Sequence, residues 1–328
     1  MNNLLSIYAF AFIFSLTLTV ILEYKLIPYL RKRARQPIYE DGPSWHSAKS
    51  GTPTMGGLGF VVGILLPLLL LSALFIDSGY ENAGFSILLV CLYSALNSIV
   101  GIIDDLCKLR KKENAGLTPT QKLIFQFLLS GLFLFFRLFV FGDDTAINLG
   151  FGVFDLGLLY YPVTVLLLVG ITNFANLTDG IDGLASSVAL SIGAGIFFLT
   201  AYRSPDCSII SSALIGGALG FLFFNIYPAK IFMGDTGSLF FGAITVSSLF
   251  SVGLPQLILV LGAVYIIEGL SVIIQVLFFK LTGKRIFKMA PLHHHLERCG
   301  WSETKICMAA ILLTLTMSIV VCFIGGGV

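Results

Sequence analysis

Charge is scarce in this chain. Only 12% of its 328 residues are Asp, Glu, Lys or Arg, where a soluble domain carries about 25%. So few charges cannot cover a water-facing surface of this size, which excludes a water-soluble oxidoreductase or nucleic-acid binder. Cysteine is sparse and unpatterned: the six, at 91, 107, 207, 299, 307 and 322, form no CxxC, and at least three lie in apolar runs. They read as small core-filling side chains, not as a metal or disulfide framework. Also missing are a GK[ST] phosphate loop, a GxGxxG fingerprint after a strand and an HExxH helix, the usual markers of soluble nucleotide folds and zinc hydrolases. The opening MNNLLSIYAF has no basic leader and no small-residue cleavage site, so it reads as a retained span and not a signal peptide.

What the chain has instead is long apolar runs. Ten fall near 4–22, 58–76, 85–103, 122–140, 158–176, 184–201, 208–226, 236–254, 256–279 and 306–324. Each is close to the ~20 residues that cross a bilayer. Hydrocarbon offers no partner to backbone polar groups, so the runs are predicted to be helices, and residues 1–328 one all-α polytopic membrane domain. The least marked division is at Leu254, Pro255 and Gln256. Pro67 and Pro162 fall inside predicted spans, where a kink is expected.

Basic residues give the runs a direction. The segments 23–57, 104–122, 227–235 and 280–305 hold 18 of the 20 Lys and Arg, and 177–183 holds none; only Arg137 and Arg203 lie elsewhere. The positive-inside rule puts all five of these loops in the cytoplasm and both termini outside. Arg137 reads as a snorkelling residue near the outer end of its helix. Glu268 is deep in an apolar run, where an unpaired carboxylate is costly. A buried interhelical hydrogen bond or a neutral acid is its first reading, and a place beside the active groove its second.

The most polar motifs collect on that basic side. SIVGIIDDL brings Asp104 and Asp105 to a membrane boundary, NFANLTDGIDG brings Asp179 and Asp182, NIYPAKIFMGDTGS brings Asp235, and MAPLHHHLERCGW brings His293, His294 and His295. Carboxylate oxygens suit Mg²⁺, which needs only one or two when substrate phosphates complete its shell. Adjacent Asp104 and Asp105 would point ~100° apart on a helix, so different tasks are expected, although a fraying helix end would let both approach one phosphate. The glycines of GTPTMGG, TDGIDG and MGDTGS permit close backbone approach to anions. The histidines are better suited to donating hydrogen bonds to phosphate than to zinc, because successive side chains diverge on a helix. The set points to phosphoryl transfer at a membrane surface.

These motifs, KSGTPTMGG at 49–57, GIIDD at 101–105, NLTDGIDGLA at 176–185, NIYPAKIFMGDTGS at 225–238 and MAPLHHHLE at 289–297, resemble those of the phospho-N-acetylmuramoyl-pentapeptide transferase family. That family lies within the polyprenyl-phosphate sugar-1-phosphate transferases. The resemblance spans nearly the whole chain. It implies ten membrane helices, Mg²⁺ dependence, a homodimer and a place in the bacterial cytoplasmic membrane with the site facing the cytoplasm. It further implies that Asp104 and Asp105 act at a lipid phosphate and that Asp235 holds Mg²⁺, with Asp104 as a second candidate ligand. Asn176, Asp179 and Asp182 would shape the nucleotide and metal region. Lys49, Asn225 and Phe232 would contact the nucleotide, with Thr54 and Lys122 also in the substrate-binding set; an interfacial aromatic anchor is the other reading of Phe232.

The implied reaction joins undecaprenyl phosphate to UDP-N-acetylmuramoyl-pentapeptide and releases UMP. Direct attack by the lipid phosphate is the simplest path, and a route through an aspartyl-phosphoryl intermediate stays open. The phosphate's second pKa, about 6, means that an obligatory strong base is not required. Two other readings remain: a transferase using UDP-N-acetylglucosamine, and a noncatalytic transporter or lipid scaffold, whose polar groups would run through the membrane and not gather on one face.

Overall fold

The computed structural model describes residues 2–34, 49, 51–111, 116–142, 145–148 and 152–325. Among these, helix dominates: α1 (Asn2–Arg33), α2 (Gly57–Asp77), α3 (Glu81–Lys111), α4 (Pro119–Phe141), α5 (Tyr160–Thr178), α6 (Leu184–Thr200), α7 (Pro205–Asn225), α8 (Gly234–Ser248), α9 (Ile258–Leu261), α10 (Ala263–Thr282), α11 (Leu292–Arg298) and α12 (Glu303–Gly325). Among the described residues nine segments are long and apolar enough to cross a membrane, so the chain is a helical, multi-pass membrane protein.

The differences from the predicted spans have local causes. The predicted span 184–201 is α6, apolar but only 17 residues long, and it is not among the nine. The break at Leu254 to Gln256 is real: Gly253 adopts φ 69°, Pro255 opens a short 3₁₀ turn, and α10 begins only at Ala263. Pro162 lies in the first turn of α5, where its missing N–H removes no intrahelical bond, so the expected kink has no cause there. Pro67, by contrast, lies mid-way along α2. The chain is also not purely helical. Between α4 and α5, β1 (Ala146–Asn148) and β2 (Val153–Asp155) pair antiparallel, with Ile147 opposite Phe154. The Thr145 hydroxyl and the Gly157 amide both donate to Asp155 Oδ1, and they hold this carboxyl below its ordinary range.

α8 is the hub. The window at Gly234–Val252 is 83% buried, against 28% for Pro119–Phe141, which contains α4. α8 packs on α3, α5 and α2, while α7 packs on α1 and α6. At the hub's centre Phe60 of α2 stacks on Phe241 of α8, with centroids 4.3 Å apart and planes 8° from parallel. α4 instead exposes Phe125, Leu128, Phe135 and Phe139, the surface expected of a helix facing lipid.

Two helix ends position the site. α3 does not fray at residue 104 as its apolar run suggests; it continues to Lys111, so Asp104, Asp105 and Lys108 all project from regular helix. α4 starts in a capping box: Thr118 Oγ1 accepts the Gln121 N–H at 3.2 Å, and Gln121 Oε1 accepts the Thr118 N–H at 2.9 Å. Pro119 fills the first helical position, and Lys122 is thereby held in the first turn.

Candidate active site

Asp104 and Asp105 do point apart, and they make different contacts. Asp105 is turned to α8. Its Oδ1 accepts the Asp235 N–H at 3.1 Å, and its Oδ2 accepts the Thr236 N–H at 3.0 Å and the Thr236 hydroxyl at 2.7 Å. It thus caps the N-terminus of α8 from another helix, a charge-assisted arrangement that suits the helix dipole. The approach is close because of Gly101: a Cβ there would come within 2.6 Å of the Thr236 nitrogen. Thr54, buried, has its hydroxyl beside Gly234 in the same corner. Its backbone N–H donates to the Ala34 carbonyl at 2.9 Å.

Asp104 faces the start of α4. Its Oδ1 accepts the Leu117 N–H at 2.8 Å and lies 3.1 Å from Lys122 Nζ, while its Oδ2 lies 2.6 Å from Lys108 Nζ, a close ion pair without hydrogen-bond alignment. Asp235, on the first turn of α8, shares both lysines. Its Oδ1 lies 3.2 Å from Lys108 Nζ and accepts from Asn176 Nδ2 at 3.1 Å, and its Oδ2 accepts from Lys122. Asn176 also donates to Ser238 Oγ at 2.8 Å.

A second network adjoins the first. Lys49 Nζ lies 2.7 Å from both Asp182 Oδ1 and Glu303 Oε2. Asp182 Oδ2 accepts the Ala229 N–H at 2.9 Å, and Glu303 Oε2 also accepts the Asp182 N–H at 2.7 Å. Burial pulls the Lys49 ammonium down, but its two carboxylate partners outweigh burial and hold it above its ordinary value. Asp179, the C-cap of α5, is pushed up to about 8 by burial and by facing Asp235, Asp105 and Asp182, with Lys108 opposing. Asn225 is committed to the backbone: its Oδ1 accepts from Gly183 N–H and Ser186 Oγ, and its Nδ2 donates to the Ile231 carbonyl at 3.0 Å. The backbone of Phe232 pairs with Pro53 and Gly56, and the residue is half-buried.

The three histidines face three ways. His293 is fully buried, and both its N–H and its Nδ1 meet Glu268 Oε2, at 3.2 and 3.1 Å. Its ring lies against the TDGIDG turn, so that a Cβ at Gly180 would come within 2.6 Å of His293 Cε1. Its Nε2 has no hydrogen-bond partner among the described residues. His294 Nδ1 pairs with Glu297 at 2.7 Å, and His295 Nδ1 accepts the Lys288 N–H at 3.1 Å. His293 thus touches the acidic turn. Glu268 is therefore a buried interhelical partner that also adjoins the site, which joins its two readings. Two participants carried little sequence signal. Lys108 is one helical turn beyond Asp104 but outside the apolar run, and Glu303 lies 121 residues from Asp182.

The carboxylates suit a hard cation. Asp104, Asp105 and Asp235 each offer an oxygen, all within 4.8 Å of one another. Asp105 is bound to the α8 backbone, whereas the oxygens of Asp235 and Asp104 face Lys108 and Lys122; these two are the carboxylates that could hold a hard cation, with the lysines displaced from the oxygens it takes.

Comparison with known proteins agrees with this geometry. Residues 87–253 match the model of glycosyl transferase family 4, and residues 49–61 match phospho-N-acetylmuramoyl-pentapeptide-transferase signature 1. The chain is 43% identical over 324 residues to the phospho-N-acetylmuramoyl-pentapeptide-transferase of Shouchella clausii, covering 96% of this chain and 97% of the relative. It is 41% identical to that of Bacillus subtilis strain 168, covering 94% and 96%, and 41% identical to one from Clostridium botulinum strain Alaska E43, covering 97% and 95%. The carboxylate centre lies within the matched family region, the Lys49 segment within the signature, and the histidine loop within the length shared with the relatives. The chain belongs to the phospho-N-acetylmuramoyl-pentapeptide transferase family, within glycosyl transferase family 4.

Proposed function

We propose that this protein transfers phospho-N-acetylmuramoyl-pentapeptide from its UDP-linked precursor to undecaprenyl phosphate, releasing UMP, as the first membrane step of peptidoglycan synthesis. The observation that carries the reading is the sharing of Lys108 and Lys122 between Asp104 and Asp235. Two ammonium groups shared between two carboxylates are placed to exchange part of that pairing for phosphate oxygens.

In this scheme α6 is the tenth crossing, both termini lie outside, and the site opens to the cytoplasm of a bacterium, where the basic loops favour it. The lipid stays between helices while its phosphate reaches Asp104, Lys108 and Lys122. Asp235, with Asp104 behind it, would hold Mg²⁺, whose charge offsets the negative charge growing on the departing UMP. Asp104 orients the lipid phosphate, and because that phosphate is already largely ionised at neutral pH, little proton transfer is required. Direct attack is favoured over an aspartyl-phosphoryl intermediate. Asp104 is fully buried, with Leu117 and Lys122 on one oxygen and Lys108 on the other, which leaves little room for in-line attack by the carboxylate itself. Asp105 maintains the position of α8. Lys49, Asp182 and Phe232 face the nucleotide side, and His293 offers its Nε2 towards the same turn. A homodimer fits the lipid-facing character of the outer helices.

The test is product formation with purified protein, undecaprenyl phosphate and either UDP-N-acetylmuramoyl-pentapeptide or UDP-N-acetylglucosamine, with and without EDTA. Lipid-linked product and UMP from the first donor only, abolished by EDTA and restored by Mg²⁺, is expected. Product from the second donor alone would replace the assignment, and activity indifferent to EDTA would remove the metal from it.

A further inference from the structure

The polypeptide after α10 encloses a cleft of ≈ 950 Å³, lined by Tyr227 from the NIYPAK turn and by Arg285, Lys288, Glu297, Arg298 and Trp301. Asp104, Asp105, Asp179 and Asp235 are not in its lining, so it is separate from the carboxylate centre. It is nevertheless joined to the site by two acids. Glu297 reaches His294, and Glu303, also in the lining, reaches Lys49 and the Asp182 N–H.

Both acids of the lining are therefore committed, whereas Arg285 and Lys288 have capacity left. Arg285 is exposed and makes no ion pair among the described residues. Lys288 Nζ donates at 3.3 Å to the Arg298 carbonyl and keeps further donors. The volume falls in the range typical of ligand sites, roughly 300–1,000 Å³. Arginine, with its planar fork, is the side chain best matched to a carboxylate.

The occupant follows from how the donor's charges divide. Its pyrophosphate goes to the carboxylate centre, where it meets the lipid phosphate. What remains is a five-residue peptide, which ends in a carboxylate and extends up to ~17 Å, far enough to leave the centre. We propose that this cleft is the subsite for the carboxylate-bearing peptide arm of the donor, with Arg285 and Lys288 as its anion contacts. This rests on the transferase reading above. Tyr227 and Trp301 give the arm an apolar wall.

The experiment compares UDP-N-acetylmuramoyl-pentapeptide, its tripeptide counterpart and the peptide-free UDP-N-acetylmuramic acid as donors for full-length wild type, R285E and K288E. Affinity for each donor is read by calorimetry alongside KM. R285E is expected to weaken the pentapeptide donor by about tenfold more than the peptide-free one, with R285K recovering most of the difference. Equal weakening of all donors would assign the cations to the nucleotide or phosphates and overturn the proposal, as would no weakening in either charge-reversed variant. Wild-type turnover separates the two readings. No product from any donor removes the transferase assignment itself, whereas turnover with unaltered donor discrimination in R285E and K288E removes only the subsite.

Discussion

The carboxylate centre and the histidine loop are both dense in polar residues, but they are built on opposite plans. At the centre, Asp104, Asp105, Asn176 and Asp235 come from three helices, and their bonds cross between elements up to 131 residues apart. In the loop, three neighbouring histidines form bonds that stay mostly local, His294 to Glu297 and His295 to Lys288. His293 reaches out, to Glu268 and the Gly180 turn. Residues far apart in sequence share partners here, and adjacent identical ones have different ones.

The largest effect is expected at the centre. Asp235→Asn keeps the side-chain volume but loses the charge that faces both lysines and would hold the proposed Mg²⁺, and turnover should fall by roughly 10²–10³-fold with the melting temperature near wild type. Normal turnover with normal Mg²⁺ dependence in folded D235N would remove Asp235 as the principal ligand and erase the contrast between the two regions. The loop should respond unevenly. His293→Gln should lower kcat by about 10²-fold, Glu268→Gln should follow it in part, and His295→Gln should stay close to wild type once corrected for folded protein. Equal losses at His293 and His295 would mean that the loop acts as one unit.

A packing test is smaller. Gly101→Ala forces α3 from the α8 backbone and should cost about 1–3 kcal/mol, read as a lower melting temperature together with reduced turnover, since Asp105 would lose its grip on α8. Loss of stability alone would separate that contact from catalysis. The smallest expected effect is at Asp179. Its carboxyl is pushed up to about 8 in the folded protein, so between the ordinary carboxylate range and pH 8 the folded state holds a proton that the unfolded chain has released. That contribution to stability therefore declines as pH rises through this window. Asp179→Asn, which cannot ionise, should gain on wild type in thermal stability from pH 5 to pH 8 in the presence of EDTA. A difference that is flat with pH would contradict the burial of that carboxyl.

The apolar runs made most of the fold legible, because hydrocarbon leaves the backbone no alternative to helix. What they concealed was helix that outlasts the bilayer. The run of α3 stops near residue 103, yet the helix carries Asp104, Asp105 and Lys108 beyond it, and it was this extension that brought Lys108 to the centre. The hairpin at Ala146–Asp155 was hidden for the opposite reason: its strands are three residues each, too short to show an alternating pattern. The acidic residues of the site were readable from their motifs because each lies close to a glycine and to the edge of an apolar run. Glu303 was not, since nothing near it in sequence indicates Lys49 or Asp182. The divergence of the histidines was half legible: helical geometry predicted that they would separate, but not that Glu268 would claim the first.

The brevity of α6 has a consequence for the bilayer. At 1.5 Å per residue its 17 residues reach about 25 Å, some 5 Å short of a typical hydrocarbon core. A lipid-facing helix of that length would thin the surrounding bilayer. α6 is instead buried almost throughout, so the helices packed around it, and not the lipid, take up the shortfall. The bilayer beside the protein then has no reason to thin at this helix, and a short element costs nothing in lipid deformation.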